Sequence, residues 1–240
     1  MSQKVNFGTI NAESMEILSA FHVAHVELRK LSEDKKTAME LVEKQIAEIK
    51  DARQKDIDSG IAIDVAISNH SMESVLAERA RIEAQYDAET KPHKDAQKEA
   101  LKLLPDSLYY AYVLAMKKGD LSASGKLTIK KGKKDAEITV EKSLKCYIKD
   151  FADNIGCSNT ENNKAMDKFA QTMSVRVSGN RIVSKGEDYV GEKSASQFNK
   201  LFMYNFLQYV IIEKGVVVVN EDNTLSMKVY EDDAQTTDVQ

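Results

Sequence analysis

The strongest local charge in this sequence is a cluster of lysines near the middle of the chain. Residues 117–149 hold ten lysines against four acids, a net charge of +6. Lysine ammonium groups bind phosphate oxygens of DNA or RNA, and no arginine forks or adjacent aromatic side chains accompany them to read bases. The pattern indicates sequence-tolerant nucleic-acid binding, or else a solvated turn whose lysines block edge pairing. The candidate nucleic-acid-binding residues are Lys126, Lys130, Lys131, Lys133 and Lys134.

Histidines and cysteines do not predict a metal centre or a nucleophile. His22 and His25 have a spacing that can place two imidazoles on one metal, but no third ligand accompanies them. Cys146 stands beside Lys145, which could lower its pKa, yet a structural cysteine is the default interpretation. Residues 119–126 lack the glycine spacing and the hydroxyl of a phosphate loop. We expect no catalytic residue, no metal and no cofactor, with an enzyme of unrecognised type as a lesser alternative.

The composition predicts a soluble globular protein in a reducing cytoplasm. The chain has 240 residues, 42% hydrophobic and 30% charged, with a net charge of −4. Two isolated cysteines, Cys146 and Cys157, suit a compartment that keeps thiols reduced. The first residues lack the apolar core of a signal peptide, and no stretch approaches the roughly 20 apolar residues of a membrane span. We therefore expect no membrane partner, and a bacterial or phage origin suits the composition.

The elements that must position these residues begin with a long helix. Only two prolines occur in the chain, so long helices are not interrupted. Asn11 can cap the first helix, and Gly60 can end it. Between them, apolar residues recur with the four-and-three spacing of a coiled coil, passing through Lys35 and Gln45. The candidate interface residues on this seam are Ile17, Phe21, Leu28, Leu31, Val42 and Ile49.

A second, weaker seam follows Ser71 and runs to Leu103, and we expect Pro92 to kink or break its helix near residues 90–92. Two such helices joined by a short connection form an antiparallel hairpin most simply. The alternative is one arm of a homodimeric coiled coil, and both can hold together.

The connection between the two helices alternates apolar and small or polar residues. Strict alternation is typical of a short strand, whereas helix continuing past Gly60 is an equally weighted alternative. A lone strand would expose unpaired backbone groups, so this segment must pair with the other half, a second copy or a partner. Its candidate interface residues are Ile61, Ile63, Val65 and Ile67.

The pattern after Pro105 predicts one more helix and then a change of character. Asp106 can cap a helix over residues 107–118 that Gly119 ends. Small and polar residues over 119–125 mark a boundary. Beyond it we predict hairpins that alternate with helices. These are strands at 126–130 and 136–140, a helix at 143–154, a helix opened by Ser158, a hairpin around Gly179–Asn180 with Val175, Val177, Ile182 and Val183, a buried helix from Ser194 to Ile212, and a hairpin over 216–229.

These patterns together predict an α+β protein. A long antiparallel helical hairpin, or coiled coil, over residues 1–118 precedes a mixed domain over 126–230, in which β-hairpins surround a buried helix. Residues 231–240 form an acidic tail expected to be disordered. The predicted function is non-enzymatic interaction or assembly through the seam, with a second copy or another protein as partner. The alternative is nucleic-acid binding by the lysine-rich hairpin.

Overall fold

The computed structural model describes residues 10–131, 133–157, 160–179 and 192–228, which fall into two compact units. Unit 1 takes the chain up to Val23 and again from Gln97 onward, and unit 2 is Ala24–Ala96. The predicted boundary at 119–125 lies inside unit 1. Independent folding of residues 126–230 stays a prediction.

In its described residues the chain is a mostly helical α+β protein with two small antiparallel β-hairpins. In order, the described elements are α1 (Ala12–Asp58), α2 (Ile63–Asn69), α3 (Glu73–Ala100), a 3₁₀ turn (Leu101–Leu103), α4 (Ser107–Lys118), β1 (Gly125–Lys131), β2 (Lys134–Val140), α5 (Leu144–Asn154), α6 (Thr160–Gly179), α7 (Glu192–Phe206), a π-helical segment (Leu207–Glu213), β3 (Val217–Val219) and β4 (Leu225–Met227). No helix among these combines the length and apolarity that a membrane span requires.

Several helix ends are set by the residues that the sequence singles out. The Asn11 side-chain oxygen accepts the N–H of Ser14 at 2.8 Å, which confirms the cap of α1. Ser143 caps α5 by accepting the N–H of Cys146. Asp106 is not a cap, because its φ of −56° and ψ of −32° are already helical and its side chain makes no capping bond.

Unit 1 is built around a core of aromatic and aliphatic side chains. Leu18 and Phe21 of α1, Leu108 of α4 and Phe151 of α5 have almost no exposed surface. Rings pack edge to face, as in the pair Phe151 and Phe206, whose centroids are 4.9 Å apart. Side chains of α7 and of the π-helical segment are buried in the same core: Phe198, Phe202, Met203, Phe206, Leu207, Val210 and Ile211.

Two hairpins flank this core. Strands β1 and β2 pair from Gly125 with Val140 to Lys131 with Lys134, which confirms the first predicted hairpin. Strands β3 and β4 pair Val217 with Met227. The N–H of Leu225 donates to the Ser19 hydroxyl at 2.9 Å, so the second hairpin is bonded to α1.

The predicted hairpin around Gly179–Asn180 is wrong in its first strand. Residues Val175 and Val177 belong to α6, whose period already buries Met166, Phe169 and Met173. Two valines at alternate positions do not end a helix whose preceding apolar residues recur with helical spacing. The rest of that hairpin, Ser158 and the tail lie outside the described residues. Ser194 lies inside α7 rather than at its cap.

Unit 2 pairs the later part of α1 with α3. Val42 and Ile46 of α1 form a buried cluster with Ile82 of α3, and Arg79 Nη1 lies 3.1 Å from Glu43 Oε1. Further along α1, Asp56 contacts His70, just before α3 begins. Residues further along α1 therefore contact residues that come earlier in the second segment, so the two helices run antiparallel.

Two details of the seams differ from the sequence prediction. Gln45 is exposed and Ile46 is buried instead, because an α-helix of 3.6 residues per turn drifts away from a strict 3.5-residue repeat. Helix α3 continues through Pro92, so the predicted break does not occur, while the predicted kink there stays a prediction. Proline removes one backbone donor of the helix, and α3 is long enough on both sides of Pro92 to tolerate that loss.

Candidate functional site

The end of unit 2, residues 56–78, is here called the tip, and it begins with a tight helix stop. Gly60 has a φ of +90°, a left-handed conformation that favours glycine. Its N–H donates to the Ile57 carbonyl, and the N–H of Ile61 donates to the Asp56 carbonyl at 3.0 Å. This pair of hydrogen bonds is the Schellman motif, so the predicted stop of α1 at Gly60 is confirmed.

The predicted strand over 61–67 is wrong, and the equally weighted alternative of helix beyond Gly60 holds for residues 63–69. The chain makes a separate short helix, α2, in which the N–H of Ala66 donates to the Ala62 carbonyl at 3.0 Å. A single strand here would have no neighbour for its backbone groups, whereas a helical turn satisfies them locally. Only Ala66 of α2 is buried.

Polar contacts hold the end of α2 against α1. His70 Nε2 lies 3.1 Å from Asp56 Oδ2, and the Asn69 amide donates to the same oxygen at 3.4 Å. Arg53 Nε donates to the His70 carbonyl at 2.7 Å. Both backbone and side chains therefore fix α2 in place.

The tip exposes an unusual share of large apolar side chains. Eight such residues are exposed in the described chain, and five of them lie between residues 61 and 76. Ile63 is the most exposed of the five, at 62%. These five, here called the apolar tip residues, are Ile61, Ile63, Val65, Ile67 and Leu76.

The tip is also acidic throughout. No lysine or arginine occurs from residue 56 to residue 78, while five aspartates and glutamates do. Asp58, Asp64 and Glu73 are exposed and form no ion pair with the described residues. The sequence alone places Asp56, Asp58 and Asp64 near this end, but sequence reasoning missed the absence of lysine and arginine from 56 to 78, and it missed Leu76.

The predicted seam residues are spread over both units. Ile17 is half-buried against the core of unit 1 and Phe21 lies inside that core, while Val42 is covered by Ile82. The remaining three, Leu28, Leu31 and Ile49, are half-buried in unit 2. Their role as an interface stays a prediction, and burial within the chain already accounts for Phe21 and Val42.

The lysine-rich hairpin has three lysines whose side chains are exposed, Lys126 on β1 and Lys133 and Lys134 at the turn. Leu127 and Ile129 are buried, so Lys126, which precedes them in the alternation of the strand, lies on the opposite face. Lys126 Nζ lies 2.6 Å from Glu137 Oε1 across the strands. Lys130 pairs in register with Asp135 and Lys131 with Lys134, while Lys133 and Lys134 are exposed at the turn. Acids on β2 thus offset part of the positive charge.

The histidines and cysteines do not assemble into a reactive centre. His22 is 4% exposed, and burial lowers its pKa below 6.5. Its Nδ1 atom has no hydrogen-bond partner among the described residues. Burial raises the pKa of Cys157 to about 11, and Cys146 is exposed. No group of three or more metal-ligating side chains occurs in the described part of the chain.

Comparisons with protein-family models, with curated proteins and with solved structures give no match for this chain. Function must therefore be argued from the surfaces described above.

Proposed function

We propose that this protein is a non-enzymatic interaction or assembly protein that captures a protein partner with the α1–α3 helical pair, a coiled-coil hairpin. The observation that carries the proposal is the exposure of the five apolar tip residues at one end of that pair. Single exposed apolar side chains are common on protein surfaces, whereas a concentration of them marks a surface that is covered by something else.

Burial energies support docking at the tip. Removing one isoleucine side chain fully from water is worth about 1.5–3 kcal/mol. The tip residues are already partly covered, so each offers a fraction of that amount, and together they supply several kcal/mol toward binding. The hydrogen bonds from Arg53 and Asn69 and the Asp56–His70 contact hold α2 before a partner arrives, which lowers the entropic cost of docking.

Self-association is the second form that assembly can take. Leu28, Leu31 and Ile49 remain half-buried along the pair, and a second copy could cover them. Light scattering of the full chain distinguishes the two forms. A monomer of 26.9 kDa supports capture of another protein, and a concentration-dependent doubling of the mass supports a homo-oligomer.

Partner capture is tested by site-specific photocrosslinking in the source cells. A photoreactive residue replaces Val65 at the tip, and a matched variant carries it at Glu48, an exposed position on α1 away from the tip. We expect one discrete protein adduct from position 65 and none from position 48. Failure to form an adduct at position 65, with no self-association in solution, would contradict the proposed function.

The lysine-rich hairpin supports nucleic-acid binding as a second candidate. Lys133 and Lys134 are exposed at its turn, without an ion pair among the described residues. Four phosphate contacts give a log–log salt slope on duplex DNA of roughly −3.6. Replacing Lys130, Lys131, Lys133 and Lys134 by glutamine should remove most of that slope. A wild-type chain that leaves DNA and RNA unshifted at low salt would contradict this second candidate.

A further inference from the structure

We propose that the partner segment received by the tip is a basic amphipathic segment of another protein, with apolar side chains flanked by lysines or arginines. This inference rests on the proposed function and names the chemistry of the partner. Two features of the tip indicate this chemistry, namely its exposed apolar side chains and the negative charge around them.

The apolar tip residues lie on α2 and at the chain positions on either side of it, and they form an exposed surface rather than a deep cleft. Ile63 and Ile67 are four residues apart in α2 and lie one above the other on the same face. Val65 lies on the other flank of the helix, because Ala66 occupies the buried side between them. Ile61 precedes α2 and Leu76 follows it at the start of α3. A segment that docks here must supply apolar side chains of its own.

The charge around these residues has one sign. Asp58, Asp64 and Glu73 are exposed and form no ion pair with described residues. Of the cations nearest to the tip, Arg53 donates to the His70 carbonyl, Lys55 Nζ lies 2.8 Å from Asp51 Oδ2, and Arg81 pairs with Glu78. These cations leave Asp58, Asp64 and Glu73 without an ion pair among the described residues, and lysines or arginines from a partner would supply one.

The same charge disfavours the other occupants. Docking two copies tip to tip would bring the exposed Asp58, Asp64 and Glu73 of one copy against the same three residues of the other, a like-charge arrangement that is costly when water is excluded. Phosphate-bearing surfaces, either nucleic acid or anionic lipid, would meet the same repulsion. A basic amphipathic segment would bind through apolar contacts with the tip and through ion pairs with its carboxylates.

The experiment measures binding of synthetic peptides to the full chain by fluorescence anisotropy. One peptide is an amphipathic helix of leucines and lysines, and its control has the same leucine pattern with glutamates in place of the lysines. We expect the Leu/Lys peptide to bind, its affinity to fall as salt rises, and the Leu/Glu peptide to show at least about tenfold weaker binding.

Variants locate the binding on the tip. Ile63→Ser combined with Ile67→Ser should weaken the Leu/Lys peptide by about tenfold or more, because both side chains lose their apolar contact. The matched control Leu41→Ser removes an equally exposed leucine outside the tip and should leave affinity unchanged. Asp64→Asn combined with Glu73→Gln should weaken binding and flatten its salt dependence. Circular dichroism verifies that each variant keeps wild-type helicity.

Several outcomes overturn the inference: no binding of the Leu/Lys peptide, equal binding of the Leu/Glu peptide, equal loss in Leu41→Ser, or an unchanged salt dependence in the Asp64/Glu73 variant. The proposed function has a separate test. A crosslinked adduct at position 65 together with peptides that fail means that the partner is a protein of different chemistry. Failure of both experiments means that the tip is not a docking surface.

Discussion

The hydroxyl of Tyr112 is buried in unit 1 and has no hydrogen-bond partner among the described residues. Its ring stacks on Phe198 with centroids 4.3 Å apart, and burial of the phenol raises its pKa. A buried polar group without a partner loses its hydrogen bonds to water and gains none in the protein, which lowers the stability of the fold. The ring therefore supplies the stabilising contact, and the oxygen opposes it.

Tyr112→Phe should raise the free energy of unfolding by about 1 kcal/mol, because it keeps the stacked ring and removes the unpaired oxygen. Urea denaturation followed by circular dichroism measures the change. Tyr110→Phe, at a half-buried position on the same helix, is the control and should change stability by less than about 0.5 kcal/mol. A loss of stability in Tyr112→Phe would mean that the hydroxyl has a partner in solution.

Burial of His22 predicts that the stability of the chain depends on pH. Burial lowers its pKa in the folded chain, while the unfolded chain keeps the ordinary value near 6.5. Below pH 6.5 the unfolded state therefore binds more protons, and stability falls until the pH reaches the lowered folded pKa. Each unit of pKa difference is worth about 1.4 kcal/mol.

We accordingly expect a lower urea midpoint at pH 5.5 than at pH 7.5, and a smaller difference in His22→Leu, which cannot be protonated. The matched control is His93→Leu, a half-buried histidine of α3. If His22→Leu and the wild type lost the same stability between the two pH values, other groups would account for the acid sensitivity.

At the scale of elements, neighbouring residues of α1 differ sharply in their surroundings. Val42 packs with Ile82 and is 2% exposed, whereas Leu41 is 62% exposed. Val42→Asp should reduce the helicity of unit 2 or unfold it, because a buried carboxylate without a partner costs several kcal/mol. Leu41→Asp places the same charge in water and should leave far-ultraviolet circular dichroism and melting temperature near the wild type. Equal effects of the two substitutions would mean that α1 and α3 do not pack through Val42.

Local signals predict the ends of these elements well. Asn11, Gly60, Gly119 and Ser143 act within one helical turn, so the sequence contains the whole cause of the stop or start. Longer elements follow when the period is sustained, as in α1. The four strands at 125–131, 134–140, 217–219 and 225–227 lie close to their predicted positions because turn residues separate them.

Short alternating stretches are where sequence reasoning fails. Residues 61–67 and Val175–Val177 both show strand-like alternation, yet both belong wholly or largely to helices. A strand needs a neighbouring strand, and a short local pattern says nothing about whether one is available. For the tip, the sequence singles out Ile61, Ile63, Val65 and Ile67, which are exposed, but nothing local to Leu76 indicates that it is exposed as well.

At the scale of the molecule, composition does not reveal which distant segments share a core. Leu18 and Phe21, at the start of the chain, are buried in the same cluster as Phe151 and Phe206. Helix α4 belongs to that cluster as well, since Leu108 and Tyr112 are buried in it. The small, polar residues at 119–125 form a connection within unit 1, and nothing local to them indicates that both sides belong to one core.

This arrangement predicts which pieces of the chain fold. Unit 1 has its own core, so excising residues 24–96 and joining Val23 to Gln97 through a Gly/Ser linker should preserve near-ultraviolet circular dichroism and dispersed amide resonances. A fragment that begins at Ser122 lacks α4 together with Leu18 and Phe21. It should retain helical far-ultraviolet signal but lose fixed side-chain packing, with dye binding typical of a molten globule. Dispersed resonances from the Ser122 fragment would instead establish residues 126–230 as an independent domain. An unfolded excision variant would mean that unit 1 requires the helical pair for its stability.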